Sequence, residues 1–250
     1  MSKALFQHLF IVEMVYGALA FISLFFVVAP YGRHFKRGWG PSITARKAWV
    51  IQEFPAFVII LIVAAYYYQD ISIVQVIFVL IWQLHYFHRT FIYPYRISNP
   101  YKPYPLILVI MAIVFNVING LLNSFEIIVF NKYGIDWIYD PRFLIGLLLF
   151  IGGYVINKDS DRRLLSLRNG NSEYQIPTGG MFKYVTCPNY LGEMMEWLGW
   201  AIMTWSLAGL GFFIFTLCNL FPRALSNHKW YLEKFKEYPK NRKAIFPFLI

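Results

Sequence analysis

The sequence predicts an all-α integral membrane protein of seven transmembrane helices, with its N-terminus outside and its C-terminus in the cytoplasm, and three observations lead there. Hydrophobic residues make up 58% of the 250 and charged residues only 14%, against about a quarter charged in an ordinary soluble domain. Apolar runs at residues 5–29, 49–68, 71–91 and 106–130 each reach the roughly 20 residues a helix needs to cross a hydrocarbon core. Lysine and arginine crowd onto alternate connections, as they do in cytoplasmic loops.

Three further spans come from a shorter run at 143–156 and a long one at 191–221 that Gly209 and Gly211 interrupt. Seven spans place residues 30–48, 89–105, 157–190 and the tail after 221 on one side, and these hold 5, 3, 5 and 7 Lys/Arg, or 20 of the 23 in the chain. Only Lys3, Lys132 and Arg142 fall elsewhere. Six spans would put the basic tail on the wrong face. The net charge of +10 then follows from topology and anionic headgroups, so the lipid bilayer is an expected partner and nucleic acid is not. The first apolar run is too long for a cleavable leader and lacks a small-residue cleavage site, so it reads as an anchor. Cys187 and Cys218 fall in different environments, and no disulfide is expected between them.

Taken in order, the first span ends in a turn at Pro30-Tyr31-Gly32-Arg33-His34, followed by a basic loop whose Arg33, Lys36 and Arg37 suit lipid headgroups. The second span carries Gln52-Glu53-Phe54-Pro55 one turn inside the apolar run. An ionisable group at that depth is costly unless paired, protonated or facing a cavity, and Pro55 frees a backbone carbonyl beside it. The third span ends in His85-Tyr86-Phe87-His88-Arg89-Thr90-Phe91. There Tyr86 and Arg89 share one helix face and His85 and His88 the next, but a metal held by the two histidines lacks a third ligand. Tyr93, Tyr95 and Tyr101 read as an interfacial aromatic belt.

In the fourth span Asn116, Asn119, Asn123 and Glu126 form a stripe that suits hydrogen bonding between helices, and the same stripe suits a cavity wall. Residues 157–196 are the longest polar interruption. They mix Asp159, Asp161, Arg162, Arg163 and Arg168 with Asn157, Tyr174 and Asn189, and run into a helix with Glu193 and Glu196. A linker is Gly/Ser-rich or of one charge; this alternation of donors, acceptors and both charges predicts a loop that folds over a polar ligand. The tail at 230–239 reads as an amphipathic segment for the membrane surface.

The blocks HYFHRTFIYP, Gln52-Glu53, NKDSD with LRN, IPTGGMFKYVTCPNYLGEMMEWLGWA and the tail YLEKFKEYPKNRKAIFPFLI resemble the steroid 5-alpha-reductase family, in order and over nearly the whole chain. The resemblance implies a single membrane domain over residues 1–250, a monomer. Its helices within 1–130 mainly form a pocket for a hydrophobic, steroid-like substrate, and 131–250, with the cytoplasmic loop and tail, mainly hold the cofactor. It implies hydride transfer from NADPH to the 4,5 double bond of a 3-oxo-4-ene steroid; related branches reduce polyprenols or enoyl-CoA thioesters. The membrane is then a bacterial inner membrane or the endoplasmic reticulum.

The chemistry of such a reaction fits particular residues. Hydride arriving β to a carbonyl pushes negative charge onto the carbonyl oxygen, which preorganised donors must stabilise. Tyr86 and a protonated Glu53 are the expected catalytic donors, a pairing with a parallel in ketosteroid isomerase; Gln52, His88 and Trp49 are the expected substrate contacts. No Rossmann fingerprint is present, so a helical pocket must hold the nucleotide, with Arg and Lys recognising its phosphates. By family match the cofactor contacts are Asn157, Asp161, Arg168, Tyr174, Asn189, Glu193, Arg223 and Tyr231, with Arg33 and Lys102 from the basic loops and Asn227 or its neighbour His228. No metal is expected. Two other classes use these features differently: a membrane methyltransferase needs no Glu53 and Tyr86 pair, and a transporter needs no long mixed-charge loop.

Overall fold

The computed structural model describes residues 1–167 and 174–250, and they are mostly helical. The apolar runs become α1 (Lys3–Phe26), α2 (Ala45–Tyr66), α3 (Ile73–Phe87), which continues through a π-helical turn (His88–Ile92) into the short α4 (Tyr93–Arg96), and α5 (Leu106–Phe125), extended by a second π-turn (Glu126–Phe130). Then come α6 (Pro141–Ser166), α7 (Pro188–Thr204) and α8 (Leu207–Lys234). Five of these helical stretches, Lys3–Phe26, Ala45–Tyr66, Leu106–Phe130, Pro141–Ser166 and Leu207–Lys234, are long and apolar enough to cross a bilayer. The chain is a helical membrane protein.

Local chemistry sets where the helices start. Ser2 Oγ accepts from Leu5 N at 3.2 Å, Ser72 and Gln75 form a reciprocal capping box, and Asp140 accepts from Arg142 N at 2.8 Å. Each satisfies an N–H group that a first helical turn leaves free. The π-turn after α5 leaves irregular carbonyls, and Gln75 Nε2 meets them, donating to Ile127 O at 2.8 Å and Ile128 O at 3.1 Å.

The connections sort to two ends of the bundle. At the basic end, strands β1 (Ser42–Thr44) and β2 (Pro103–Pro105) pair antiparallel. There Lys102 Nζ also donates to Gly32 O at 2.5 Å, and Thr186 N and Cys187 N donate to Lys243 O and Ala244 O at 2.8 and 3.1 Å. At the opposite end, Glu126 accepts from Leu207 N and Ala208 N at 3.0 and 2.6 Å. Tyr133 Oη donates there to Thr204 O at 2.7 Å. Backbone pairing joins the four basic segments two by two, and the side-chain contacts of His34 with Asn227 and of Arg223 with Tyr31 link the two pairs at one end. Among the described residues, this small sheet and an isolated bridge between Val185 and Lys243 depart from an all-α reading.

Two expectations need correction. The polar stretch at 157–196 is not one loop: α6 runs on to Ser166, so Asn157, Asp159 and Asp161 stand on a helix. Asp159 pairs with Arg162 at 2.5 Å and with Arg163 at 2.7 Å, the i,i+3 and i,i+4 pairs that support helical backbone. The segment at 230–239 is also not one amphipathic surface helix: α8 continues through Lys234, and Tyr231 and Tyr238 are buried, because the chain folds back onto Thr186 and Cys187 by backbone pairing at Lys243 and Ala244.

The core is aromatic. Trp82, Trp197, Trp200 and Phe212 pack with ring centroids 4.1–5.7 Å apart. Helices α6 and α7 cross without side chains between them: a Cβ on Gly153 would collide with the backbone of Gly192 and Glu196, and one on Gly199 with that of Gly146 and Phe150. That close crossing sets the depth at which the polar side of α7 stands.

Candidate active site

A cavity of about 720 Å³ opens inside the bundle, within the range of small-molecule pockets. Its walls change in chemistry along its length. Leu19, Ala20, Leu24, Leu108, Met111, Ala112 and Phe115 of α1 and α5 form an apolar side. Trp49, Gln52 and Glu53 of α2, His85 and Tyr86 of α3, and Arg89 of the π-turn form a polar one. Asp161, Asn189, Tyr190, Glu193 and Arg223 line it toward the basic end.

Helical spacing places these groups. Gln52 and Glu53 both line one wall of the cavity, and Gln52 Nε2 donates to Glu53 Oε1 at 3.2 Å. Asn116 Nδ2 donates to Gln52 O at 2.6 Å, which fixes this turn of α2 one step before Pro55 removes a backbone donor. The Asn116 stripe thus ties helices together. Asn123 Oδ1 receives Trp200 Nε1 at 2.8 Å in the same way. The Tyr86 ring is wedged by Trp82, His85 and Trp197 at 4.8, 5.1 and 5.8 Å. None of the described residues hydrogen-bonds its hydroxyl, so that group meets whatever enters.

The charged members are cross-linked. Arg89 Nη2 lies 3.5 Å from Glu193 Oε2 and Arg89 Nη1 4.0 Å from Asp161 Oδ2, while its guanidinium stacks on Trp49 at 4.6 Å and Tyr93 at 5.2 Å. Asn157 Nδ2 donates to Asn189 O at 2.9 Å, and Asn189 Nδ2 to Asp161 Oδ1 at 3.3 Å. Arg223 Nη1 donates to Tyr31 Oη at 2.6 Å.

Beyond the cavity, a second cluster gathers. The Arg33 guanidinium lies within 5.6, 5.0 and 4.8 Å of the rings of Tyr174, Trp230 and Tyr231. His34 Nε2 and Asn227 Oδ1 are 3.1 Å apart, burial holding His34 below its usual range so that the neutral ring donates. Asn227 Nδ2 in turn faces Cys187 Sγ at 3.7 Å, and burial pushes the Cys187 thiol up to about 11. His228 Nδ1 is 2.6 Å from Thr186 Oγ1.

Comparison with known proteins follows this geometry. Residues 102–250 match the family model described as 3-oxo-5-alpha-steroid 4-dehydrogenase. The chain is 41% identical over 257 residues to a steroid 5-alpha-reductase DET2 of Arabidopsis thaliana, covering 99% of this chain and 98% of that one. The chain belongs to the 3-oxo-5-alpha-steroid 4-dehydrogenase family. It is also 44% identical over 226 residues to the human 3-oxo-5-alpha-steroid 4-dehydrogenase 1, covering 88% and 85% of the two chains. Its Bos taurus counterpart is 38% identical over 254 residues, covering 100% and 98%. As a member of the 3-oxo-5-alpha-steroid 4-dehydrogenase family, the protein is an oxidoreductase acting on CH–CH groups.

Within this family frame, the structure brings Trp49, Gln52, Glu53, Tyr86, Asp161, Asn189, Glu193 and Arg223 around one cavity. Asn157 stands behind Asn189, and Arg33, Tyr174, Tyr231 and Asn227 form the neighbouring cluster. Lys102 joins the basic-end loops through Gly32. His88 does not line the cavity, and its Nδ1 is buried without a hydrogen-bond partner. Arg168 lies outside the described residues. Among the cavity residues outside the sequence-derived site set are Arg89, Tyr190 and His85, while Asn116 belongs to the stripe that also suits a cavity wall. Arg89 had a signal, since it shares a helix face with Tyr86. The partner of His85 is Glu196, at 2.6 Å and 111 residues away, a contact no local pattern encodes.

Proposed function

We propose that the protein reduces the 4,5 double bond of 3-oxo-4-ene steroids with NADPH, from a fold that crosses the membrane seven times. The observation that supports this most is that Glu53 and Tyr86, from different helices, open into one cavity whose other end is lined by Asp161, Asn189, Glu193 and Arg223. The relatives' printed names give the steroid class.

The residues toward the basic end suit a dinucleotide. Among the described residues, Arg33 Nη1, Arg223 Nε and Asp161 Oδ2 are buried without hydrogen-bond partners, and buried polar groups of that kind call for a ligand or water. Arg33 and Arg223 would hold phosphate oxygens by charge-assisted hydrogen bonds. Tyr174, Trp230 and Tyr231 around Arg33 offer ring faces for a base. Asp161, Asn189 and Glu193 provide acceptors and an amide for ribose and carboxamide groups. NADPH bound there supplies the hydride.

The chain's own residues do the rest. Reduction of an enone builds negative charge on the ketone oxygen. Tyr86 Oη and a protonated Glu53, steadied by Gln52, donate to that oxygen from fixed positions, in a space that excludes water. The apolar side from α1 and α5 grips the rings of the substrate.

The seven crossings are the five long apolar helices together with α7 and the rod of α3 and its π-turn, which puts the basic end in the cytoplasm and the N-terminus outside. The test is direct: purified protein incubated with NADPH and a 3-oxo-4-ene steroid yields the 5-alpha product by mass spectrometry, in parallel with enoyl thioesters and polyprenols. Reduction of only the latter two would replace the steroid reading.

A further inference from the structure

We propose that His85, held by Glu196, is a second acid of the cavity and delivers the proton that the substrate's α-carbon takes up. The proposal rests on the enone-reductase reading above. Saturating an enone adds hydride at the β-carbon and a proton at the α-carbon. Glu53 and Tyr86 are placed for the carbonyl oxygen, which leaves the carbon's proton without a source.

The geometry singles out this pair. His85 is 2% exposed and Glu196 0%, and His85 Nδ1 lies 2.6 Å from Glu196 Oε2. The imidazole lines the cavity beside Tyr86 and packs on Trp197 at 4.7 Å. With Nδ1 committed to the carboxyl, Nε2 is the ring nitrogen left for the cavity. A second-partner carboxylate is the usual way to fix a histidine's tautomer and orientation. A purely structural buried pair would have both carboxyl oxygens satisfied, yet Glu196 Oε1 is buried without a hydrogen-bond partner among the described residues.

On α6, half-buried Lys158 interacts electrostatically with Glu196, with Nζ donating to Asn157 Oδ1 at 3.1 Å. The other charged or titratable groups around the pair are Glu193 of α7, Tyr154 of α6, Arg89 and His88 of the π-turn, and Tyr86 and Glu53 across the cavity.

In the step, the Nε2–H bond breaks and a C–H bond forms at the α-carbon, made from the electron pair of the enolate double bond as the ketone re-forms. As Nε2 gives up its proton, the proton shared between Glu196 Oε2 and Nδ1 moves onto Nδ1, so the ring stays neutral and Glu196 is left as a carboxylate; after the product leaves, water entering the cavity protonates Nε2 and the Nδ1 proton returns to Glu196 Oε2. The hydride comes from the family's own oxidoreductase chemistry.

Turnover of a 3-oxo-4-ene steroid with NADPH in D2O tests this, with the configuration of deuterium at the α-carbon read by NMR and folding checked by thermal unfolding in detergent. Wild type is expected to label one face only. His85→Gln should lower kcat roughly 10²–10⁴-fold, the usual worth of a general acid, and should give both epimers as water replaces the imidazole. Glu196→Gln should lower kcat and shift its pH profile while leaving KM unchanged. A folded His85→Gln protein with unchanged turnover and single-face labelling overturns the proposal, and so does an unchanged profile in Glu196→Gln. Unselective labelling by wild type overturns it even where neither variant folds. Absence of any reduced product from wild type instead removes the functional reading, and the proposal with it.

Discussion

Arg89 Nη2 stands 3.5 Å from Glu193 Oε2, tying the π-turn after α3 to α7 where the cavity meets the basic end. The same guanidinium reaches Asp161 at 4.0 Å and lies on the face of Trp49. One cation therefore neutralises acids from two helices and braces an aromatic ring from a third. Removing it leaves buried carboxylates uncompensated, at a cost of about 3–5 kcal/mol. Arg89→Ala is expected to lower the unfolding temperature in detergent and abolish turnover, whereas Arg89→Lys should recover stability in part, since it keeps the charge and loses the planar fork. A wild-type melting temperature in Arg89→Ala would show that the pairing contributes nothing.

Glu53→Gln and Tyr86→Phe should each reduce turnover roughly 10²–10³-fold, the scale measured for one preorganised donor to a developing oxyanion. Nucleotide affinity should stay close to wild type, because neither side chain belongs to the phosphate end. The comparison needs kcat from steroid turnover and Kd from NADPH fluorescence on the same preparations. Full activity in both variants would end the carbonyl-polarisation scheme.

Arg33→Ala and Arg223→Ala should weaken NADPH binding by roughly 10- to 100-fold each, since a hydrogen bond to a charged group is worth about 1.5–3 kcal/mol. The kcat at saturating nucleotide should change little. Fluorescence titration at low and high salt would check it, and salt-insensitive binding of wild type would argue against phosphate recognition by these arginines.

Gly153→Leu should prevent folding, because any Cβ there already collides with the backbone of Gly192 and Glu196. Gly152, one residue away, would meet only Met195 Cε at 3.9 Å, so Gly152→Ala should be tolerated. Yield of monodisperse protein after detergent extraction is the readout, and equal yields from both variants would contradict the close crossing of α6 and α7.

The proposed seven crossings would place Lys3 and Lys132 on one side of the membrane and Lys240 on the other. With the native cysteines replaced, single cysteines at these three positions should divide in their reaction with a membrane-impermeant maleimide on intact cells. Labelling of position 240 from the outside would reverse the orientation.

Much of this protein was legible from residue order. The membrane class follows from composition, and the placement of α1, α2, α3 and α5 from apolar runs whose length the bilayer dictates. Glu53 and Tyr86 stand out in the sequence because polar groups inside apolar helices are expensive, and the structure brings both to the cavity. Where the reading went astray, local helix chemistry was the cause. The pairs Asp159 with Arg162 and Arg163 keep α6 going through a stretch whose polarity resembled a loop, and the fold of the tail depends on backbone pairing with Thr186 and Cys187.

By itself, then, the sequence determined the class, the helices that span the apolar runs, the clustering of positive charge and the acid and phenol in the apolar spans, since each of these depends on spacing within about one helical turn or on bulk composition. The tertiary structure decided which side chains share a cavity. Arg89 meets Glu193, and His85 meets Glu196, only because the glycines of α6 let α7 approach to backbone contact and carry its acids to the level of α3, a distance relation between segments more than 100 residues apart that no local pattern can state.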